Sequence, residues 1–290
     1  MNYHLIIGNG KWSKKNLKYL RNKSYFDRII IKDRKKYFFF ENKKQIKNLK
    51  KDKIIDKIKS VHICTPVSSH FNHLKKYNNF EKTIIEKPFL TKINEFKKIE
   101  KIYKKKFFWV NYIDTFSPLI SKINRSLNKK KFHQINLNYS KIKKFYKHKH
   151  EFALEWLDHP LSLVLFFFKK FPKINIKKSL IRRKNNSYNQ QIIINYSFKN
   201  YNIFVNLNCS SKVERNFQIL RKKNTETFHF YKNSVFLDKK KTYQSKKNSF
   251  DIFYNLLIKK QKNKAQNFNF HKKIIKERNK ILNQLKEVNN

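Results

Sequence analysis

Cysteine, glycine and acidic residues are all scarce in this chain, and each scarcity excludes something. Two cysteines, Cys64 and Cys209, offer neither a disulfide framework nor a metal-ligand spacing. That excludes a disulfide-stapled secreted scaffold and leads us to expect no bound metal and a reducing, cytoplasmic setting. Long apolar runs are missing too. The longest, Leu161 to Phe168, is too short to cross a bilayer, and Met1 leads straight into a strand-like segment with no signal peptide, so no membrane is expected. Against 70 Lys and Arg stand only 19 Asp and Glu, a formal charge of +51. This balance invites a nucleic-acid reading. Yet Lys outnumbers Arg by 61 to 9, and no lysine run exceeds three (Lys104–Lys106, Lys129–Lys131, Lys239–Lys241). Asn, Ile, Phe and Tyr are inflated alongside Lys, the signature of A/T-rich codons rather than of clustered Arg that forks onto bases and phosphates. A nucleic-acid role is therefore the weaker reading, while the positive field still draws in anionic small molecules.

What is present suffices for folding. Hydrophobic residues make up 39% of the 290 residues, with 28 Phe and 15 Tyr to fill packed cores. The only glycines are Gly8 and Gly10, directly after the apolar run Tyr3–Ile7. Elsewhere the chain turns with Asn, Asp, Lys and Ser, so a retained glycine marks a place without room for a Cβ. A strand-to-helix turn cradling a pyrophosphate is such a place. Ser13 stands where the third glycine of G-x-G-x-x-G would fall, so the fingerprint is incomplete and an ordinary tight turn is the alternative.

The first 110 or so residues alternate strand and helix. Strands are expected at Leu5–Ile7, Arg28–Lys32, Ser60–Cys64, Thr83–Ile85 and Phe107–Asn111. Helices are expected at Lys11–Arg21, Gln45–Lys59, Phe71–Asn79 and Ile93–Lys104. This alternation predicts a doubly wound parallel sheet. The second half carries strand signals at Gln134–Ser140, Asn175–Arg182, Gln191–Phe198, Ile203–Cys209, Phe217–Arg221 and Thr227–Tyr231, then helices at Phe250–Lys260 and Lys272–Val288. The fold class is thus α/β: an N-terminal Rossmann domain over 1–115 and a C-terminal α/β domain over 116–290 with an open, mostly antiparallel sheet. A last helix over 271–288 is placed to pack back on the first domain.

Candidate chemistry gathers at strand ends. Asp33 closes the second strand, where an acid accepts hydrogen bonds from an adenosine ribose and favours NAD. Arg34 and Lys35 follow and offer the alternative of a 2′-phosphate, and a solvated turn acid is the bland reading. Thr65 and Pro66 stop the third strand at the sheet's carboxyl edge; His70 is either part of that site or a helix-start residue. The next strand ends in Glu86-Lys87-Pro88. A lysine there can donate to a substrate hydroxyl or nicotinamide ribose while Glu86 holds its ammonium.

Together, G-N-G-K-W at Gly8–Trp12, I-C-T-P-V-S-S-H at Ile63–His70 and I-I-E-K-P-F at Ile84–Phe89 resemble the Gfo/Idh/MocA family, the glucose–fructose oxidoreductase and inositol dehydrogenase group. E-W-L-D-H at Glu155–His159 resembles that family's D-x-G-x-H stretch, with Leu157 in place of its glycine. The resemblance runs over nearly the whole chain, including a six-strand second domain. It implies NAD or NADP, with NAD favoured, held by Gly8, Asn9, Gly10, Lys11, Trp12, Asp33, Thr65, Pro66, His70, Glu86 and Lys87. It further implies Lys87, His159 and Glu155 as catalytic residues, with Asp158 an alternative acid. The implied substrate is a sugar, cyclitol or nucleotide-linked sugar, and the implied assembly a homo-oligomer through the C-terminal sheet. Imidazole suits the proton step because its pKa lies near neutrality. The rival readings are a dinucleotide-binding protein without chemistry on the same fold, and a structural role for His159.

Overall fold

The computed structural model describes residues 3–21, 25–33, 36–41, 44–46, 57–129, 131–142, 146–147, 150–184, 187–210, 212–261, 263 and 265–287. Two compact units emerge: Met1–Asn111 with Tyr254–Ile275, and Tyr112–Phe253 with Lys276–Asn290.

The first unit is a seven-stranded sheet, in order β4-β3-β2-β1-β5-β6-β7. The strands are β1 (Tyr3–Ile7), β2 (Arg28–Asp33), β3 (Lys36–Glu41), β4 (Lys44–Ile46), β5 (Ile58–Ile63), β6 (Lys82–Glu86) and β7 (Phe107–Asn111). β2-β1-β5-β6-β7 run parallel, the Rossmann arrangement expected. Buried on both faces, these strands read as continuous apolar runs. Helices α1 (Lys11–Arg21), α2 (His70–Lys76) and α3 (Ile93–Tyr103) supply crossovers.

One expectation is corrected. The helix over Gln45–Lys59 gives way at both ends to strand, in β4 and β5. Residues 47–56 lie outside the described residues. β3, the aromatic run Lys36–Glu41, pairs antiparallel with β2 and then with β4. Aromatic side chains favour a pleated, half-buried surface, and here that preference extends the sheet edge. At the opposite edge Gln266 closes β7. Its Oε1 accepts Val110 N–H at 2.9 Å and its Nε2 donates to Val110 O at 2.9 Å, so a side-chain amide mimics a neighbouring strand.

The second unit carries α4 (Ile120–Lys129), β8 (Gln134–Ile142), α5 (Glu151–Trp156) and α6 (Asp158–Phe168). It continues through β9 (Ile174–Lys184), β10 (Ser187–Ser197), β11 (Asn202–Ser210), β12 (Glu214–Leu220), β13 (Thr225–His229), β14 (Ser234–Leu237) and β15 (Lys240–Gln244). The last helices of the chain are α7 (Ser249–Ile258) and α8 (Phe268–Glu287), of which residues 254–275 belong to the first unit. The sheet has eight strands, in order β15-β14-β13-β12-β8-β11-β10-β9, antiparallel except for β8 with β11. Six had been expected. The two missed, β14 and β15, are short, and β15 is largely exposed with no apolar alternation. Their turn takes positive φ at Asp238 (45°) and Lys239 (72°), a hairpin geometry more often announced by Asn-Gly.

The inward side of this sheet is apolar, with Ile135, Leu137, Val205, Leu207, Phe217 and Ile219 fully buried. Its outward side is different. Asn206 donates to Asn138 at 2.6 Å, Asn138 donates to Asn216 at 2.9 Å and to Gln218 at 3.0 Å, and Gln134 donates to Asn136 at 2.8 Å. In a chain with 70 basic residues, the outward positions of β8 and β10–β13 include no Lys or Arg. Among the described residues, no helix is long and apolar enough to cross a membrane.

Candidate active site

In the first unit, the turn after β1 explains both glycines separately. Gly8 has φ +103°, and a Cβ there would lie 2.9 Å from Cys64 O and 3.3 Å from Thr65 Cγ2. Its N–H donates to Lys32 O at 2.8 Å, so it is wedged between β2 and the end of β5. Gly10 is the reverse case: a Cβ would meet nothing within 4 Å. Space is therefore open above the backbone at the start of α1, where unpaired amides and the helix dipole favour phosphate. Asn9, Gly10 and Lys11 are exposed, and Trp12 is half-buried with Lys15 Nζ 4.9 Å from its ring centroid. Ser13 is fully buried, so a small residue fills the helix–sheet contact usually left to the third glycine. Asp33 ends β2 half-buried, while Arg34 and Lys35 lie outside the described residues.

Neighbouring strand ends bring the other motifs together. Glu86, at the end of β6, accepts from Asn111 Nδ2 at 2.8 Å and lies 3.0 Å from His62 Nε2. Burial pushes its pKa up, but His62, Asn111 and the Lys87 charge outweigh this and hold the carboxyl below its ordinary value. Lys87 is half-buried. Cys64 continues this row; burial first and the Glu86 charge second push its thiol well above the usual value. The His62, Cys64 and Glu86 donor atoms lie within 4.8 Å of one another, close enough to share one ion. Cysteine spacing gave no hint of that grouping, because its members come from two strands.

His70 opens α2, and its ring is spoken for. Nδ1 is 3.0 Å from Phe89 O and Nε2 is 2.8 Å from Thr65 O, tying the loop after β5 to the loop after β6. Burial lowers its pKa, against the opposing pull of these carbonyls and Glu86. Among the cofactor candidates it is thus a positioning residue for Thr65 and Pro66.

The second unit holds His159 near the start of α6. Nδ1 lies 2.9 Å from Asp114 Oδ2, and the ring, 1% exposed, packs against Tyr139 (centroids 5.7 Å apart) and Trp156 (5.4 Å). Asp114 also accepts from Tyr139 Oη at 3.0 Å and pairs with Arg215 at 3.4 Å. Burial raises the Asp114 pKa, yet Arg215, His159 and the Tyr139 hydroxyl overcome it and hold the carboxyl well below the carboxylate range. The sequence reading missed Asp114, Tyr139 and Arg215. Arg215 was visible as one of nine Arg among 70 basic residues. Asp114 was passed over because it sits at the domain boundary, just after β7.

Glu155 lies on α5 rather than on the helix of His159. Its carboxylate receives Lys141 Nζ at 3.2 Å and Tyr146 Oη at 2.9 Å. Asp158, the alternative acid, is committed elsewhere: both its oxygens accept from Arg278 Nη1, at 2.9 and 2.8 Å, in a pair with no solvent exposure. Leu157, at the family's glycine position, has helical φ −56° and is fully buried.

Comparison with known proteins agrees with these features. Residues 4–112 match GFO_IDH_MocA, described as an oxidoreductase family with an NAD-binding Rossmann fold. No curated protein matches the sequence. Among solved structures, a dehydrogenase (MviM) from Clostridium difficile is similar at TM-score 0.75 and 15% identity, over 97% of this chain and 99% of that one. UDP-N-acetylglucosamine 3-dehydrogenase GnnA from Acidithiobacillus ferrooxidans gives TM-score 0.72 at 12% identity, over 97% of each chain. A biliverdin reductase from Synechocystis sp. PCC 6803, solved with biliverdin and NADP+, gives 0.67 at 12% identity, over 98% of each. The first unit thus matches the NAD-binding Rossmann fold of that oxidoreductase family over residues 4–112, and the chain shares its fold along nearly its whole length with these solved structures.

Proposed function

We propose that this chain is an NAD(P)-dependent oxidoreductase of the Gfo/Idh/MocA family, a dehydrogenase or reductase acting on a CH–OH group of a sugar, cyclitol or nucleotide-linked sugar. The observation that carries the reading is the buried Asp114–His159 pair, an imidazole held by a carboxylate. GnnA, whose name specifies a UDP-sugar, supports the substrate class. The nucleotide is held by Gly8, Asn9, Gly10, Lys11, Trp12, Thr65 and Pro66, with Asp33 at the ribose and NAD favoured over NADP. The open space over Gly10 fits a phosphate. Bound nicotinamide supplies hydride transfer, which no side chain can provide. His159 takes the substrate's hydroxyl proton, and Asp114 stabilises the imidazolium that results. Lys87 is the other catalytic residue of this reading, an ammonium able to donate to a hydroxyl, and Glu155, held by Lys141 and Tyr146, orients the substrate.

A second reading, a nucleotide-binding protein without turnover, draws on the buried Leu157 and the 1% exposure of His159. One set of measurements separates the two. NADH and NADPH titrations by fluorescence are expected to saturate for wild type and to fail for Gly10→Asp. A panel of sugars and sugar nucleotides should then yield turnover that falls about 100-fold or more in His159→Gln and in Lys87→Met, with NADH affinity retained in His159→Gln. Binding without turnover on the whole panel favours the second reading. Binding of neither nucleotide refutes both.

A further inference from the structure

The second unit contains a cavity of about 500 Å³ that the proposed chemistry does not use. It opens between α4, the turn after β12 and the strands β13–β15, and that volume suits a small organic ligand. Its floor is a closed polar network. Arg221 donates to Ser126 O at 2.8 Å, to Ser126 Oγ at 2.7 Å and to Glu226 at 3.2 Å, and the Ser126 hydroxyl also donates to Glu226. The cavity's carboxylate is thereby already matched by a cation. Lys122 and Arg125, three residues apart on α4, add further positive charge with no ion pair of their own among the described residues. Three cations against one carboxylate leave two positive charges uncompensated.

Like charges at this helical spacing destabilise an isolated helix, so their convergence on one cavity calls for an anion. The choice of arginine points the same way. This chain uses Lys 61 times and Arg nine times. Arg215, Arg278 and Arg221 each hold a carboxylate that a fork grips better than an ammonium. Arg125 makes no such bond among the described residues, yet it lines the cavity beside Arg221. The lining also carries apolar surface: Val235, Leu237 and the ring of Tyr243, over which Lys122 Nζ sits 3.8 Å from the centroid.

We propose that this cavity binds a phosphate monoester of a small organic molecule. The phosphate, of charge about −2, is gripped by Arg125 and Lys122, and the organic body lies against Tyr243, Val235 and Leu237. The site is separate from the nucleotide loop and stands whether or not the dehydrogenase reading does.

The test is calorimetric titration at fixed ionic strength with ribose 5-phosphate, ribose and sodium sulfate. The proteins are wild type, Arg125→Gln, Lys122→Gln and Gly10→Asp. Ribose 5-phosphate is expected to bind saturably to wild type and equally to Gly10→Asp, at least about tenfold more weakly to either α4 variant, and ribose not at all. Arg125 is exposed, so its variant should melt at or above the wild-type temperature. No saturable binding, equal affinity in Arg125→Gln, or loss in Gly10→Asp overturns the proposal. Sulfate binding as tight as that of ribose 5-phosphate overturns it in favour of an adventitious inorganic anion.

Discussion

Gly8 and Gly10 stand two positions apart in the sequence and are kept for opposite reasons. Gly8 is demanded by the protein itself, through a left-handed φ and a carbonyl 2.9 Å from the would-be Cβ. Gly10 is demanded by nothing in the chain, since a Cβ there meets open space. The two Ala variants should therefore separate stability from binding. Gly8→Ala is expected to lower unfolding free energy in urea by about 1–3 kcal/mol, because neither the φ nor the Cys64 backbone can yield cheaply. Gly10→Ala is expected to stay within about 0.5 kcal/mol of wild type while weakening NADH, since its Cβ enters the space a phosphate needs. Equal loss of stability in both variants would assign both glycines to packing alone.

At the scale of elements, the buried Asp158–Arg278 pair fixes the start of α6 against α8. Removing one partner strands a charge with no solvent access, so Arg278→Met should cost about 3–5 kcal/mol in urea unfolding, whereas Asp158→Leu with Arg278→Met should recover most of it. No recovery would mean that the pair contributes through packing rather than charge. The five parallel strands could be read in advance because each is an apolar run closed by a turn signal such as Thr65-Pro66 or Lys87-Pro88. β3, β4, β14 and β15 could not, since they are edge additions whose partners only folding sets, and β15 carries almost no apolar pattern. Among site residues, His159 was legible from its motif, but its partner Asp114 lies 45 positions earlier in the chain, and only folding brings them to 2.9 Å. The cavity beside α4 had no sequence signature at all, because its cations come from a helix and from the turn after β12, which the chain separates widely.

For the whole molecule, net charge governs association. Two copies of a chain with charge +51 repel one another except where a surface carries no positive charge. The outward positions of β8 and β10–β13 are such a surface, free of Lys and Arg and laced by amide hydrogen bonds. We propose that a second copy covers it. Wild type should sediment as a dimer or larger, and Asn138→Lys with Asn206→Lys as a monomer; a wild-type monomer at micromolar concentration would sink this assembly. The clasp of Gln266 on Val110 bears on how such a chain is made. Strand edges left bare recruit other strands, and domains otherwise fold in order of synthesis. Here the residue that closes the edge of β7 is encoded 156 positions after the strand itself. A ribosome-bound chain therefore presents that edge until the strands of the second unit have been made, and its first unit reaches its final form only after most of the second has left the ribosome.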